Sequence, residues 1–211
     1  VNNSEAYKKL KCAIIDRWPD VKIKHKQDYD FWKLLPIERQ YSSSAICNTI
    51  WMGAESFMTL AHEAKHQERI QKHGLIKFYF KYAFPQIIGA LIILACIPLF
   101  FFSWIPALLL SIFSLLFFIP WPATFRAQLE LEAYTLGMAI EMWTTGKISD
   151  YTKLNIFEAM TGRFYYKMVW DEDEALELIE AQERKLKIAP QTYIDQSYLH
   201  QIVYKICQEQ K

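Results

Sequence analysis

"LAHEAKHQER", Leu60 to Arg69, holds His62-Glu63-x-x-His66 inside a stretch with helical spacing. Phe57, Leu60, Ala61 and Ala64 recur three and four residues apart, and Gly74 follows as a stop. A helix is therefore expected from about Glu55 through His73. On a helix, residues four apart stand one turn apart on the same face. His62 and His66 can then direct both imidazoles at one metal ion. Glu63 is offset around the helix, so its carboxylate can reach the attacking water without occupying the metal. This pattern makes His62 and His66 candidate metal ligands and Glu63 the candidate catalytic base.

A second feature stands beside the motif. From Tyr82 to Phe125 the chain has no Asp, Glu, Lys, Arg or His. "IIGALIILACIPLFFFSW" approaches the roughly 20 residues that a helix needs to cross a hydrocarbon core, and "PALLLSIFSLLFFIPW" is shorter. "FSWIP" between them reads as a tight turn, with Pro106 in the first turn of a second helix, and Pro98 would kink the first. The stretch is thus expected to be a hydrophobic helical hairpin. Lys77 and Lys81 precede it and Arg126 follows it, so both ends are basic and lie on one side. The positive-inside rule assigns that side to the cytoplasm. A hairpin buried in a soluble core, one at an oligomer interface and one that dips into a bilayer are the alternatives. Trp104 and Trp121 read as interfacial aromatics.

Composition narrows the class. A formal net charge of +1 lacks the basic excess of a nucleic-acid binder, so no nucleic-acid partner is expected. Cys12, Cys47, Cys96 and Cys207 are widely spaced and read as free thiols. The N-terminal segment reads as an amphipathic helix with no signal peptide. "VKIKHK" alternates like a half-buried strand, and "AICNTIWMG", Ala45 to Gly53, suits another strand. "DEDEALELIEAQERKLK" reads as a solvated helix, acidic at its start and basic at its end, as the helix dipole favours. The expected fold is mainly α with a small β component, in three pieces of one functional domain. Residues 1–81 carry the strands and the HExxH helix, residues 82–125 the hairpin, and residues 126–211 a third-ligand helix and further helices.

A catalytic zinc site normally has three protein ligands plus water. His73 misses the longer HExxHxxGxxH spacing by one residue and reads as a helix-end histidine. His25 and His200 have no supporting spacing. Glu130 and Glu132 are better placed, on the polar helix that follows the hairpin, where Leu129, Ala133, Leu136 and Ile140 mark an apolar stripe. If the hairpin leaves and returns on one side, that helix can pack against the HExxH helix. Other metal classes fail on ligand count: the chain has five histidines and no HxxHH, and Glu63-x-x-His66 has no second ExxH beside it.

"TLAHEAKH" followed by a hydrophobic hairpin and "FRAQLELEAY" resembles the membrane-embedded gluzincin proteases of the CAAX-protease and heat-shock-protease type. The resemblance covers roughly Thr49 to Met138. It implies a zinc metallopeptidase with a peptide or protein substrate. It also implies that Glu130, three residues before Ala133, is the third ligand. The family's bracing Asp falls on Tyr134, a candidate to hydrogen-bond a ligand. "TIWMG" resembles the zincin edge strand, against which a peptide would pair. Lys65, Glu68 and Tyr134 depart from the family pattern. "FKYAFPQ" and "TGRFYYKMVW" are similar to short metallopeptidase-like proteins of large phages. The expected setting is a membrane with the catalytic part on the cytoplasmic side, the partner being lipid or a hydrophobic assembly. The alternative is a membrane-associated or virion structural component with a non-catalytic metal site. Tyr165, Tyr166 and His200 are candidate oxyanion donors with no motif behind them.

Overall fold

The computed structural model describes residues 3–36, 40–84, 86–118, 124–162, 168–169 and 171–210. It is mainly helical with one small sheet, as the sequence pattern implies. The first helix, α1 (Asn3–Arg17), leads into strand β1 (Lys22–His25) and a short helix α2 (Asp30–Lys33). Strands β2 (Ser44–Ile46) and β3 (Thr49–Met52) follow. The run Ala45–Gly53 is therefore two strands, not one. Cys47 breaks it by taking a positive φ of 53°, and Asn48 completes the turn. The sheet order is β1-β3-β2, with β1 parallel and β2 antiparallel to β3. Thr49–Met52 is thus the central strand and not the expected edge, and the edges are Lys22–His25 and Ser44–Ile46. β3 alternates half-buried and buried residues, and its inward Ile50 and Met52 are fully enclosed.

The motif helix α3 runs from Phe57 to His73. Its start is capped twice: Ser56 Oγ accepts from Thr59 N, and Asn3 Oδ1 of α1 accepts from Phe57 N at 2.8 Å. Gly74, at φ 84°, closes the helix in a conformation that only glycine adopts without strain. Helix α4 (Leu75–Tyr82) follows at once. The hairpin is α5 (Gln86–Phe102) and α6 (Trp104–Ser114), with Pro98 inside α5 and Pro106 in the first turn of α6. The two helices pack on each other and only slightly on the rest of the described fold. Exposed apolar side chains cover them, among them Phe101 at 84 % and Phe102 at 89 %.

Among the described residues no single helix is long and apolar enough to cross a membrane, but α4 and α5 together form one bent pair that passes by length and composition. At 1.5 Å per residue, the 17 residues of α5 reach about 25 Å, short of a hydrocarbon core of about 30 Å. Trp104 lies at the hairpin tip, and Trp121 lies outside the described residues.

Helix α7 (Thr124–Thr145) returns the chain to the body. Then come α8 (Asp150–Thr161), α9 (Glu172–Ile188), α10 (Pro190–Ile194) and α11 (Tyr198–Glu209). The core lies where α3 meets α7, with α1 and α11 closing one side. Leu60, Ala61 and Ala64 from α3 and Leu136, Met138 and Ala139 from α7 are fully enclosed there. Small residues let the two helices approach closely. Each buried leucine of this kind contributes about 2 kcal/mol by leaving water. This packing sets the register of α3 against α7, and with it the position of Glu130 relative to the two histidines.

Candidate metal centre

The α3–α7 contact brings His62, His66 and Glu130 together, and these three can hold a metal ion. Nε2 of His62 lies 3.2 Å from Nε2 of His66. One oxygen of Glu130, Oε2, is 3.3 Å from the first and 3.5 Å from the second. Three good ligand atoms therefore form a nearly equilateral triangle. His66 and Glu130 are buried, and the His62 side chain is 18 % exposed, so the triangle opens on the His62 side. Burial works to raise the pKa of Glu130, but the two imidazoles outweigh it and hold the carboxyl well below the usual range.

Glu63 lies beside this triangle and outside it. Burial pushes its carboxyl up to about 7, against the opposing pull of His62 and with support from Glu130. The main-chain N–H of Ala45, in edge strand β2, donates to it, and the charge of Lys26 acts in the same downward sense. Lys26 is itself buried, with its ammonium 4.1 Å from the Trp32 ring centroid. That buried cation near Glu63 carries no sequence motif.

A cleft of about 400 Å³ opens onto His62 and Glu63. Tyr41, Ser42 and Ser43 form one rim, and Tyr134, Gly137, Thr152 and Asn155 form the other. The first rim is held close to Gly53. A Cβ there would meet the Tyr41 carbonyl oxygen at 1.9 Å, and Gly53 N donates to Ser43 Oγ.

Glu132, the other candidate ligand, points elsewhere. Arg69 grips it with two hydrogen bonds, Nε to Oε2 at 2.6 Å and Nη2 to Oε1. His73 is the last residue of α3 and lies 3.1 Å from Arg69 Nη1. His25 sits by Glu55 at 3.5 Å. None of these joins the triangle.

The unusual Lys65 and Glu68 have a structural reason. Lys65 Nζ donates to Glu68 Oε2 at 2.7 Å and to His200 Nε2 at 3.0 Å. An ammonium has only donors, so Nε2 must accept. The ring proton is then on Nδ1, which donates to the Tyr193 carbonyl at 2.8 Å. Burial and the adjacent ammonium push His200 down to about 4. The pair thus anchors α11 to the motif helix, and His200 is engaged there. Tyr165 and Tyr166 lie outside the described residues.

Tyr134 packs on the His62 imidazole, with ring centroids 4.8 Å apart. A second tyrosine meets Glu130. Tyr82 donates its hydroxyl to Glu130 Oε1 at 2.6 Å. The sequence places Tyr82 at the hairpin boundary and carries no cue to this role. His66 Nδ1 is buried with no hydrogen-bond partner among the described residues, and the Phe78 and Tyr82 rings pack around its imidazole.

No protein family, curated protein or solved structure matches the chain.

Proposed function

We propose that the chain is a membrane-associated zinc metallopeptidase, with His62, His66 and Glu130 as the metal ligands and Glu63 as the general base. The observation that carries this reading is the ligand triangle. Zinc bonds of about 2.0–2.1 Å in a tetrahedron require ligand–ligand separations of about 3.3–3.4 Å. The three separations in the structure, 3.2, 3.3 and 3.5 Å, bracket that value. Two imidazoles and a carboxylate are also a donor set that suits catalytic zinc and leaves one position open.

His62, His66 and Glu130 would hold a zinc ion, which would supply Lewis acidity to the water and the carbonyl that react there. The rest is the work of the chain. Glu63 takes the proton from the attacking water at its carboxylate oxygen and passes it to the nitrogen of the leaving amine. The cleft holds the peptide against its rim from Tyr41 to Ser43.

The exposed, charge-free hairpin supports the membrane part of the reading. A soluble monomer rarely leaves so large an apolar surface in water. The hairpin enters the bilayer from the cytoplasmic side, with Lys77 and Lys81 at its root on the side of the headgroups. The full chain in phosphatidylcholine vesicles is expected to retain about one zinc per chain and to hydrolyse a mixed peptide library. A strong chelator should stop the hydrolysis and zinc should restore it. Zinc without hydrolysis would favour the structural reading, a non-catalytic clamp in a membrane or virion component. Absence of zinc would end the proposal.

A further inference from the structure

The glutamate of the triangle uses its two oxygens differently. Oε2 faces both imidazoles, while Oε1 accepts from Tyr82. Tyr82 is the last residue of α4, where the chain leaves the body for the hairpin. Phe78, one turn earlier, stacks on its ring at 5.6 Å and 17°. The guanidinium of Arg126, in the first turn of α7 where the chain returns, lies 4.3 Å from the same ring centroid. The His66 ring meets it edge-on, with centroids 5.9 Å apart. One side chain thus touches the departing helix, the returning helix and two of the three ligands. The hairpin packs mostly on itself, so this root is its main mechanical tie to the body among the described residues.

We infer that Tyr82 is a positioning residue for Glu130, and that through it the root of the hairpin is part of the metal centre. The inference rests on the metal site proposed above. A carboxylate that offers one oxygen to a metal can still turn about its terminal torsion, and either oxygen can take the metal. A hydrogen bond to Oε1 fixes the carboxylate plane and leaves Oε2 as the ligating atom. Partners of this kind are worth about 10–100-fold in metal affinity. Stacking from Phe78 and the overlying Arg126 hold the ring that carries the hydroxyl.

The test is the zinc dissociation constant of the full chain in phosphatidylcholine vesicles, measured by competition with a chromophoric chelator. The visible spectrum of the Co2+-substituted protein is read alongside it. Tyr82→Phe keeps the ring and its packing and removes only the hydroxyl. It is expected to weaken zinc binding roughly 10–100-fold and to shift the Co2+ bands, because the carboxylate ligand changes its geometry. Tyr79→Phe is the control on the same helix. Its hydroxyl serves the β2–β3 turn at Cys47 N, so it should bind zinc as the wild type does. Wild-type affinity and an unchanged spectrum in Tyr82→Phe would overturn the inference. Equal losses in both variants would also overturn it, because the cause would then be a general loosening of α4. A wild type without zinc brings down this inference and the metal site together. Zinc-loaded wild type that cleaves nothing leaves Tyr82 in its place and removes only the peptidase reading.

Discussion

Glu63→Gln is expected to abolish measurable peptide hydrolysis while zinc stays bound. The substitution is nearly isosteric, and the amide oxygen can still accept from Ala45 N–H, so α3 and the sheet keep their contact. It also removes a buried carboxyl that lies beside Glu130, so the fold loses nothing by it. The three metal ligands are untouched, because Glu63 stands outside their triangle. An amide cannot take a proton from water at neutral pH. Loss of a positioned general base costs about 10²–10⁴ in rate, which places the residual activity at or below detection. Peptide turnover and zinc content should be measured on the same preparation. Full activity in the variant would exclude Glu63 as the base, and loss of zinc would mean that it holds the metal instead.

Glu130→Ala and Glu132→Ala should separate cleanly. Glu130 supplies the one oxygen that faces both imidazoles, so its removal leaves two ligands on adjacent turns of one helix. The loss in zinc affinity should exceed the roughly 10–100-fold of a supporting residue. Glu132 faces Arg69, half-exposed, and its removal should leave zinc affinity unchanged. Its structural cost should be about 1 kcal/mol or less, as for other partly exposed ion pairs. Chelator competition on the two variants measures both effects. A reversed order would assign the third ligand to Glu132 and contradict the observed geometry.

The motif helix was legible because every local signal agreed. Apolar spacing and a stopping glycine mark α3 within about two residues of its observed ends. The fate of the two glutamates was only half legible. Residue spacing leaves Glu130 and Glu132 open, and the family resemblance selects Glu130. The physical reason for the split is Arg69, sixty-three residues away from Glu132, and such pairings are not periodic. Lys65 and Glu68 stood out as anomalies for the same reason. Their partner His200 comes from the far end of the chain, 135 residues after Lys65. The sheet misled because β-branched and aromatic residues mark strands well and turns poorly. Asn48 was a cue to the turn inside Ala45–Gly53, but the left-handed residue is Cys47, which rarely takes that role. That turn moves Thr49–Met52 to the centre of the sheet and puts Ser44–Ile46 on one of its edges. Tyr82 was hidden by its place at the rim of an apolar run, where an aromatic residue reads as one more hydrophobic side chain.

X-ray absorption at the zinc edge, on the full chain purified in vesicles, tests the metal centre most directly. The expected spectrum has only nitrogen and oxygen neighbours at about 2.0–2.1 Å, with the outer-shell pattern of two imidazoles. A sulfur shell at about 2.3 Å would place the metal on cysteines such as the exposed Cys12 and Cys47, and no bound zinc would leave the triangle without an ion. Either result would contradict a centre built from His62, His66 and Glu130.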